Sequence, residues 1–463
     1  MSVAISVEAV PGAVRAICAR LEQAGHEAFV VGGCVRDAIL GRAAHDWDVT
    51  TSASPAQVKR LFARVIPTGE RHGTVTVLQG GGGDGEGMAV EVTTYRADAD
   101  FAGAQAGDAA RFGKTLDEDL ARRDFTINAI ALHPTSGKLV DPHGGQADLG
   151  RRQVRAVGSA AERFAEDALR VMRALRFSAT LGFTVEEETL RAIPGALGRL
   201  ADVAVERVRD ELLKTLGAAA PSTALEAARA TGVLGAVLPE LLEGVGCAQN
   251  RHHRFDVWRH TLTAVDATHG DAVCRLGALL HDVGKPATRA AYEDRPGEFS
   301  FHKHELVGAE MAEGITERLK LSHAERKRVV GMVAHHMFSY EPGQRDASVR
   351  RFIQRAGLEL IPDLLLLRAG DVVGKGFGED AEARVTPLRE AVARVLAEKS
   401  ALSVKDLEID GADVMQALAL APGRRVGEVL TALLERVVDD PQLNSREVLL
   451  ALLPAVANTD GSC

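Results

Sequence analysis

Two aspartates one residue apart, Asp46 and Asp48, follow a Gly32–Gly33 pair after a short helical interval. On a strand, alternation would turn both carboxylates to one face and send Trp47 into the core. Two convergent carboxylates make a hard oxygen site suited to Mg²⁺, and a tight glycine turn beside them offers backbone N–H groups to phosphate. That is the equipment of two-metal nucleotidyl transfer. Glu91, within Val90–Glu91–Val92, can lie across the same sheet as a third carboxylate. Arg36, in the helix after the glycines, and Arg123 each offer a guanidinium fork to phosphate. Asp124 and Asn128 read as one helical turn that braces Arg123.

A second group lies in Arg163–Arg176, which reads as one amphipathic helix with Phe164, Ala168, Val171, Met172 and Leu175 on its apolar face. Asp167, Arg170, Arg173 and Arg176 step by three along it. Each step turns about 300°, so Asp167 and Arg170 are neighbours and Arg176 lies well round the helix. A carboxylate beside a guanidinium can accept from an exocyclic amine and donate to ring acceptors, which would read a nucleobase edge. Taken alone, the same residues read as an exposed ion-paired helix.

Ten of the fifteen histidines fall between His252 and His336. The adjacent His281–Asp282 can place an imidazole and a carboxylate on one divalent ion, with His260 and Asp371 closing the site from separate helices. This donor set suits a divalent transition metal, and His304, His335 and His336 would extend it to a second. The alternative is a set of buried histidines that hydrogen-bond helices and hold no metal.

The elements that must position these groups follow from periodicity. Residues 1–27 read as a helix, with Val10, Val14, Ile17, Cys18 and Leu21 at helical spacing, and the apolar run Ala28–Val31 is a buried strand. Ser54–Pro55 starts a helix through Phe62, and Thr74–Leu78 and Met88–Thr94 are strands joined by the glycine-rich 80–87. Residues 97–114 are polar, rich in Gly and Ala, and read as a mobile loop. With 46% hydrophobic but only 4% aromatic residues, the core must be Ala, Leu and Val carried largely on helices. Five cysteines without short spacing argue against a disulfide framework or thiolate zinc site, and for a reducing cytoplasm. No stretch approaches ~18 uninterrupted apolar residues, so a soluble protein with no membrane partner is expected. The net charge of −9 does not exclude nucleic acid, which is met by local patches. The arginine-rich stretches 163–176, 191–209 and 343–355 nonetheless read one by one as solvated helix faces.

The segments GGCVRDAILGR and HDWDVTTSA, with Arg122–Ala129 as RRDFTINA, resemble class II tRNA nucleotidyltransferases. These are the CCA-adding enzymes and their bacterial poly(A) polymerase relatives. The resemblance is strong over 28–215 and looser at the C-terminus, and LLHDVGKP with its ordered partners resembles an HD domain over 255–375. It implies an α+β nucleotidyltransferase head of polymerase β-like type over 1–150, then an all-α neck over 151–225 that recognises the base. An HD-type body over 226–380 and a helical tRNA-binding tail over 381–463 would follow. The implied reaction is attack by the tRNA 3′-hydroxyl on the α-phosphate of CTP or ATP, with Asp46, Asp48 and Glu91 at Mg²⁺. Gly33, Arg36 and Arg123 would bind the nucleotide phosphates, Asp167 and Arg170 would select C and A, and Arg173 and Arg176 would support that helix or the triphosphate. The 97–114 loop would favour addition of the terminal A, while Glu206 and Arg207 would buttress the neck. The body would be a phosphohydrolase with His260, His281, Asp282 and Asp371 as ligands, acting on cyclic or terminal phosphates of RNA ends. Poly(A) polymerase and partial CC- or A-adding activities share the head. A body-only phosphohydrolase and a non-catalytic RNA-binding protein are the rivals of another class.

Overall fold

The computed structural model describes residues 7–44, 46–80, 87–96, 115–295, 297–378, 380–398 and 401–457. The expected loop over 97–114 and most of the 80–87 connection lie outside these. The chain divides into two compact units, Met1–Val237 and Leu238–Cys463.

The first unit is built on a seven-stranded mixed sheet of β1 (Ala28–Val31), β2 (Asp48–Thr51), β3 (Val65–Gly69), β4 (Thr74–Gln79), β5 (Met88–Thr94), β6 (Ala131–Leu132) and β7 (Leu139–Val140), ordered β3-β4-β5-β2-β1-β6-β7. Among the described strands of this sheet only β2 and β5 pair in parallel, with Asp48 opposite Glu91, while β1 sets Val31 opposite Asp48 on the other side. The end of β1, the start of β2 and the middle of β5 therefore meet in register at one point of the sheet. Around it lie α1 (Gly12–Gln23), α2 (Gly33–Ile39), α3 (Pro55–Leu61), α4 (Leu116–Ala121) and α5 (Gly145–Arg151). Helix α3 begins as its sequence dictates: Ser54 Oγ accepts from Gln57 N, the Gln57 side chain returns a bond to Ser54 N, and Pro55 fills the first turn. Strand β3 gave no apolar alternation to read, because its central three residues are exposed.

The helices that follow are α6 (Ala160–Glu166), α7 (Arg170–Leu181), α8 (Glu187–Leu200), α9 (Val205–Leu216), α10 (Pro221–Thr231) and α11 (Val233–Val237). The single helix expected over 163–176 is thus two helices. Asp167 adopts an extended backbone, φ −147° and ψ 101°, and its carboxylate accepts from Leu169 N at 3.1 Å. That local bond is how an aspartate starts a helix rather than continuing one.

The second unit contains α12 (Val257–Ala267), α13 (Ala272–Leu280), α14 (Lys285–Thr288), α15 (His304–Arg318), α16 (His323–His335), α17 (Asp346–Ala356), α18 (Ile361–Gly374) and α19 (Ala381–Ala397). Helices α20 (Gly411–Leu418), α21 (Arg424–Asp439) and α22 (Arg446–Ala457) then share an apolar core around Val414, Leu433, Val437 and Leu453. Buried Arg350 of α17 donates to the Val438 carbonyl at 2.7 Å, and Arg351 pairs with Asp439. Arg328 likewise bonds Asp363 and Asp271, so these basic residues serve packing. Among the described residues no helix is long and apolar enough to cross a membrane.

Candidate functional site

At the meeting point of β1, β2 and β5 the chain leaves β1 through Gly32, whose φ of +85° only glycine adopts without strain. A Cβ there would stand 3.3 Å from an Arg123 nitrogen and 3.4 Å from Asp48 Oδ2, so the backbone slots between a guanidinium and a carboxylate. Asp46 lies just before β2 and is exposed, Trp47 turns into the core at 6% exposure, and Asp48 opens the strand. A cavity of about 890 Å³ is lined by Gly33, Arg36, Asp46, Asp48, Glu91 and Arg123, among others. Burial pushes the Asp48 carboxyl up to about 6; Glu91 and Asp46 add to the rise and Arg123 opposes it. Carboxylates that repel one another on hard oxygen donors are a fitting site for Mg²⁺.

Arg123 is held by Asp119 at 3.2 Å, and Asp119 in turn accepts from Thr50 Oγ1 and Arg96 N. Its Nε is buried and makes no hydrogen bond. The expected bracing by Asp124 and Asn128 falls elsewhere. The chain from 122 to 129 is a turn and a short 3₁₀ segment, not an α-helix, so these side chains do not stack under Arg123. Instead Asn128 accepts from Arg36 at 2.8 Å and donates to Asp124 at 3.2 Å, and Asp124 pairs with Arg173 at 2.6 Å. Burial acts against the Asp124 charge, yet Arg173 holds its pKa below the usual carboxylate range. Glu211, buried on α9, takes Arg176 at 2.6 Å and lies 3.6 Å from Arg173.

A second cavity of about 350 Å³ shares Asp48, Glu91, Arg123 and Arg173 with the first and adds Asp167, Arg170 and Arg207. Asp167 and Arg170 thus face one space, but they do not pair with each other. The helix break turns Asp167 to Arg207, at 2.7 Å, while Arg170 bonds Glu166 and the carbonyls of Arg163 and Arg122. Arg207, expected to be purely a buttress, therefore lines the cavity. A partner forty residues away gives no local signal.

In the second unit, His260 of α12, His281 and Asp282 after α13, His304 at the start of α15, His336 after α16 and Asp371 of α18 converge. Close backbone approach makes this possible: a Cβ at Gly284 would stand 2.3 Å from the His304 carbonyl oxygen. Asp282 Oδ2 is 3.2 Å from Nε2 of both His260 and His281, and its Oδ1 is 3.4 Å from His304 and 3.7 Å from His336. Asp371 reaches His260 at 3.4 Å. His281, His304 and His336 each donate Nδ1–H to the carbonyl three residues back, at 2.7–2.8 Å, leaving Nε2 as the inward lone pair. Yet Nε2 atoms approach pairwise, His260–His281 at 3.1 Å and His304–His336 at 3.2 Å. Lone pairs that close need a cation or proton between them. Burial drives His336 and His253 down to about 3. Burial also opposes the Asp371 charge, but His260 and His281 hold that carboxyl at about 2. Imidazoles gathered around carboxylates that stay ionised are a donor set that would suit divalent metal, with Asp282 among the groups that would hold it. Lys285, 2.6 Å from Asp282 and 2.7 Å from Gln249, adds a buried cation. His335 does not join: one residue earlier on α16 it faces away, half-buried near Arg355.

Residues 28–155 match the family described as Poly A polymerase head domain, 182–244 the "Probable RNA and SrmB- binding site of polymerase A", 252–372 the HD domain, and 382–453 domain 2 of tRNA nucleotidyltransferases. The A-adding tRNA nucleotidyltransferase of Deinococcus radiodurans is 38% identical over 88% of this chain and 91% of its own. The CCA-adding enzyme of Lactiplantibacillus plantarum is 33% identical over 96% of this chain and 97% of its own. The crystal structure of Bacillus stearothermophilus CCA-adding enzyme in complex with CTP superposes with a TM-score of 0.73 at 28% identity, covering 96% of this chain and 98% of that one.

Proposed function

The chain belongs to the tRNA nucleotidyltransferase family, and we propose that it completes the CCA end of tRNA from CTP and ATP without a nucleic-acid template. The observation that carries this reading is the in-register Asp48–Glu91 pair, with Asp46 and Arg123, on one cavity beside the Gly32–Gly33 turn. Asp46, Asp48 and Glu91 would hold Mg²⁺, which when bound lowers the pKa of the attacking 3′-hydroxyl and neutralises the leaving pyrophosphate. The residues of the chain do the positioning. Gly33 and Arg36 meet the triphosphate, and Arg123, steadied by Asp119, meets phosphate near the carboxylates. Asp167 and Arg170 present an acceptor and donors to the base, with Arg207 orienting Asp167, while Arg173 and Arg176 support the triphosphate from α7. The second unit would be a metal phosphohydrolase with His260, His281, Asp282 and Asp371 as ligands and His304 and His336 at a second ion. Head, neck, body and tail would divide near residues 150, 225 and 380, and the enzyme would work in the cytoplasm.

A second reading, addition of the terminal A alone, is favoured by the 38% identity to an A-adding relative. The test is incubation of tRNA lacking its 3′ end with CTP, ATP or both, followed by sequencing of product ends. Complete CCA ends only with both nucleotides support CCA addition. Extension confined to tRNA already ending in CC would move the assignment to A addition, and long A tails would make the enzyme a poly(A) polymerase.

A further inference from the structure

Phe177 lies on α7, is 5% exposed, and lines the larger cavity of the first unit. Three guanidinium groups surround its ring: Arg176 at 4.0 Å from the centroid, Arg36 at 5.2 Å and Arg173 at 5.5 Å. Phe125 meets it edge-on at 5.7 Å. Each of the other described rings with a cationic neighbour has one such neighbour. Contacts of this kind are sparse, about one per 70–80 residues, so three on one ring is a built feature.

Three like charges gathered at one cavity repel, and acids hold each of them: Arg36 by Asp37 at 2.9 Å, Arg173 by Asp124 at 2.6 Å and Glu211 at 3.6 Å, Arg176 by Glu211 at 2.6 Å. Glu211 links the two arginines of α7, and Asn128 links Arg36 to Asp124 by hydrogen bonds. The Phe177 ring approaches all three guanidiniums at once and adds a direct link between Arg36 on α2 and the pair on α7. Its negative face favours all three cations, whereas an aliphatic side chain of equal bulk would fill the space without attracting any. We propose that Phe177 is a positioning residue that holds Arg36, Arg173 and Arg176 at fixed mutual spacing, so that a triphosphate meets a preset cluster of donors. This rests on reading the cavity as the nucleotide site. A cluster fixed beforehand acts on the shared phosphates and not on the base, so the effect must be equal for CTP and ATP.

The test replaces Phe177 in the full-length protein by 4-fluoro-, 3,5-difluoro- and 3,4,5-trifluorophenylalanine, which drain the ring's negative face while barely changing its size. The readouts are KM and kcat for CTP and ATP, and the inhibition constant of inorganic tripolyphosphate. The expected result is a stepwise rise, about three- to tenfold across the series, in both KM values and in the tripolyphosphate constant together. At saturating nucleotide, kcat stays within about twofold, and the ratio of CTP to ATP use does not move. A flat series in a wild-type background that tripolyphosphate inhibits makes the ring a core filler and overturns the proposal. A series that changes CTP and ATP unequally overturns it too, since the effect then lies at the base. Wild-type protein that neither incorporates nucleotide nor responds to tripolyphosphate removes the nucleotide-site reading itself, and this inference with it.

Discussion

The two clusters of acidic and metal-ligating residues obey opposite electrostatic rules. In the first unit, three carboxylates face one cavity, and burial, with Glu91 and Asp46 beside it, lifts Asp48 to about 6. In the second, the carboxylates are ringed by imidazoles and a lysine, Asp371 is held at about 2, and the site is enclosed by five helical elements. An open, repulsive oxygen site would suit a cation that comes and goes with substrate, and an enclosed site of mixed nitrogen and oxygen donors would suit a metal that stays. On the proposed assignment, the difference would separate a transient cofactor from a resident one within a single chain.

The comparison breaks most sharply at Asp48. Asp48→Ala should lower nucleotide incorporation by about a thousandfold or more while leaving metal bound to the second unit, measured by radiolabelled CTP incorporation and by elemental analysis of the same sample. Residual incorporation near wild type would mean the carboxylates only shape the cavity.

Base selection comes next in size. Asp167→Ala leaves a hydrogen-bonding group of the correct base unpaired, at about 1–3 kcal/mol, so discrimination against UTP and GTP should fall about ten- to a hundredfold. Arg207→Ala, which frees Asp167 from its 2.7 Å partner, should move discrimination in the same direction by less. Arg123→Ala, at the proposed phosphate contact, should instead weaken all four nucleotides alike. If Asp167→Ala lowers kcat/KM for the four triphosphates by one factor, the residue is structural.

The pH response gives the finest distinction. A raised carboxyl pKa means the folded state binds the Asp48 proton more tightly than the unfolded chain does. Cation-free protein should therefore gain stability from this group as pH falls through about 6, and divalent cation should reverse that trend. Half-saturating Mg²⁺ for incorporation should accordingly rise by up to about tenfold per unit below pH 6, as the proton competes for the ligand. Asp371 stays ionised over the same range, so loss of metal from the second unit there would come from protonation of its imidazoles, above all His281, whose proton Asp282 and Asp371 hold against burial. A Mg²⁺ requirement flat from pH 7 to 5 would show that Asp48 is not a ligand.

What the sequence disclosed follows the reach of each interaction. The Gly32–Gly33 turn, the strand-borne Asp48 with Trp47 inward and the capped α3 are local patterns, and each formed where spacing placed it. Glu91 could be anticipated because alternation fixed its face, although its register against Asp48 is a tertiary fact. The α6–α7 break escaped notice because apolar periodicity runs straight through 163–176, while the deciding bond is a single one from Leu169 N to Asp167. Arg207 and Glu211 reach their partners across 40 and 35 residues, a separation over which side-chain period carries no information. His335 and His336 are indistinguishable by composition, and only the helix phase decides that His336 faces inward. Nothing in the sequence around Phe177 announces Arg36, which is 141 residues away.

The division between the two clusters is tested most directly by placing Asp48→Ala beside the double variant His281→Ala, Asp282→Ala, both verified as folded, on one tRNA ending before CCA. Incorporation of CTP and ATP should vanish in the first and remain near wild type in the second, which should in turn lose its bound transition metal and any phosphate-ester hydrolysis. Incorporation that survives Asp48→Ala, or that disappears with the body ligands, would contradict the assignment of nucleotidyl transfer to the first unit.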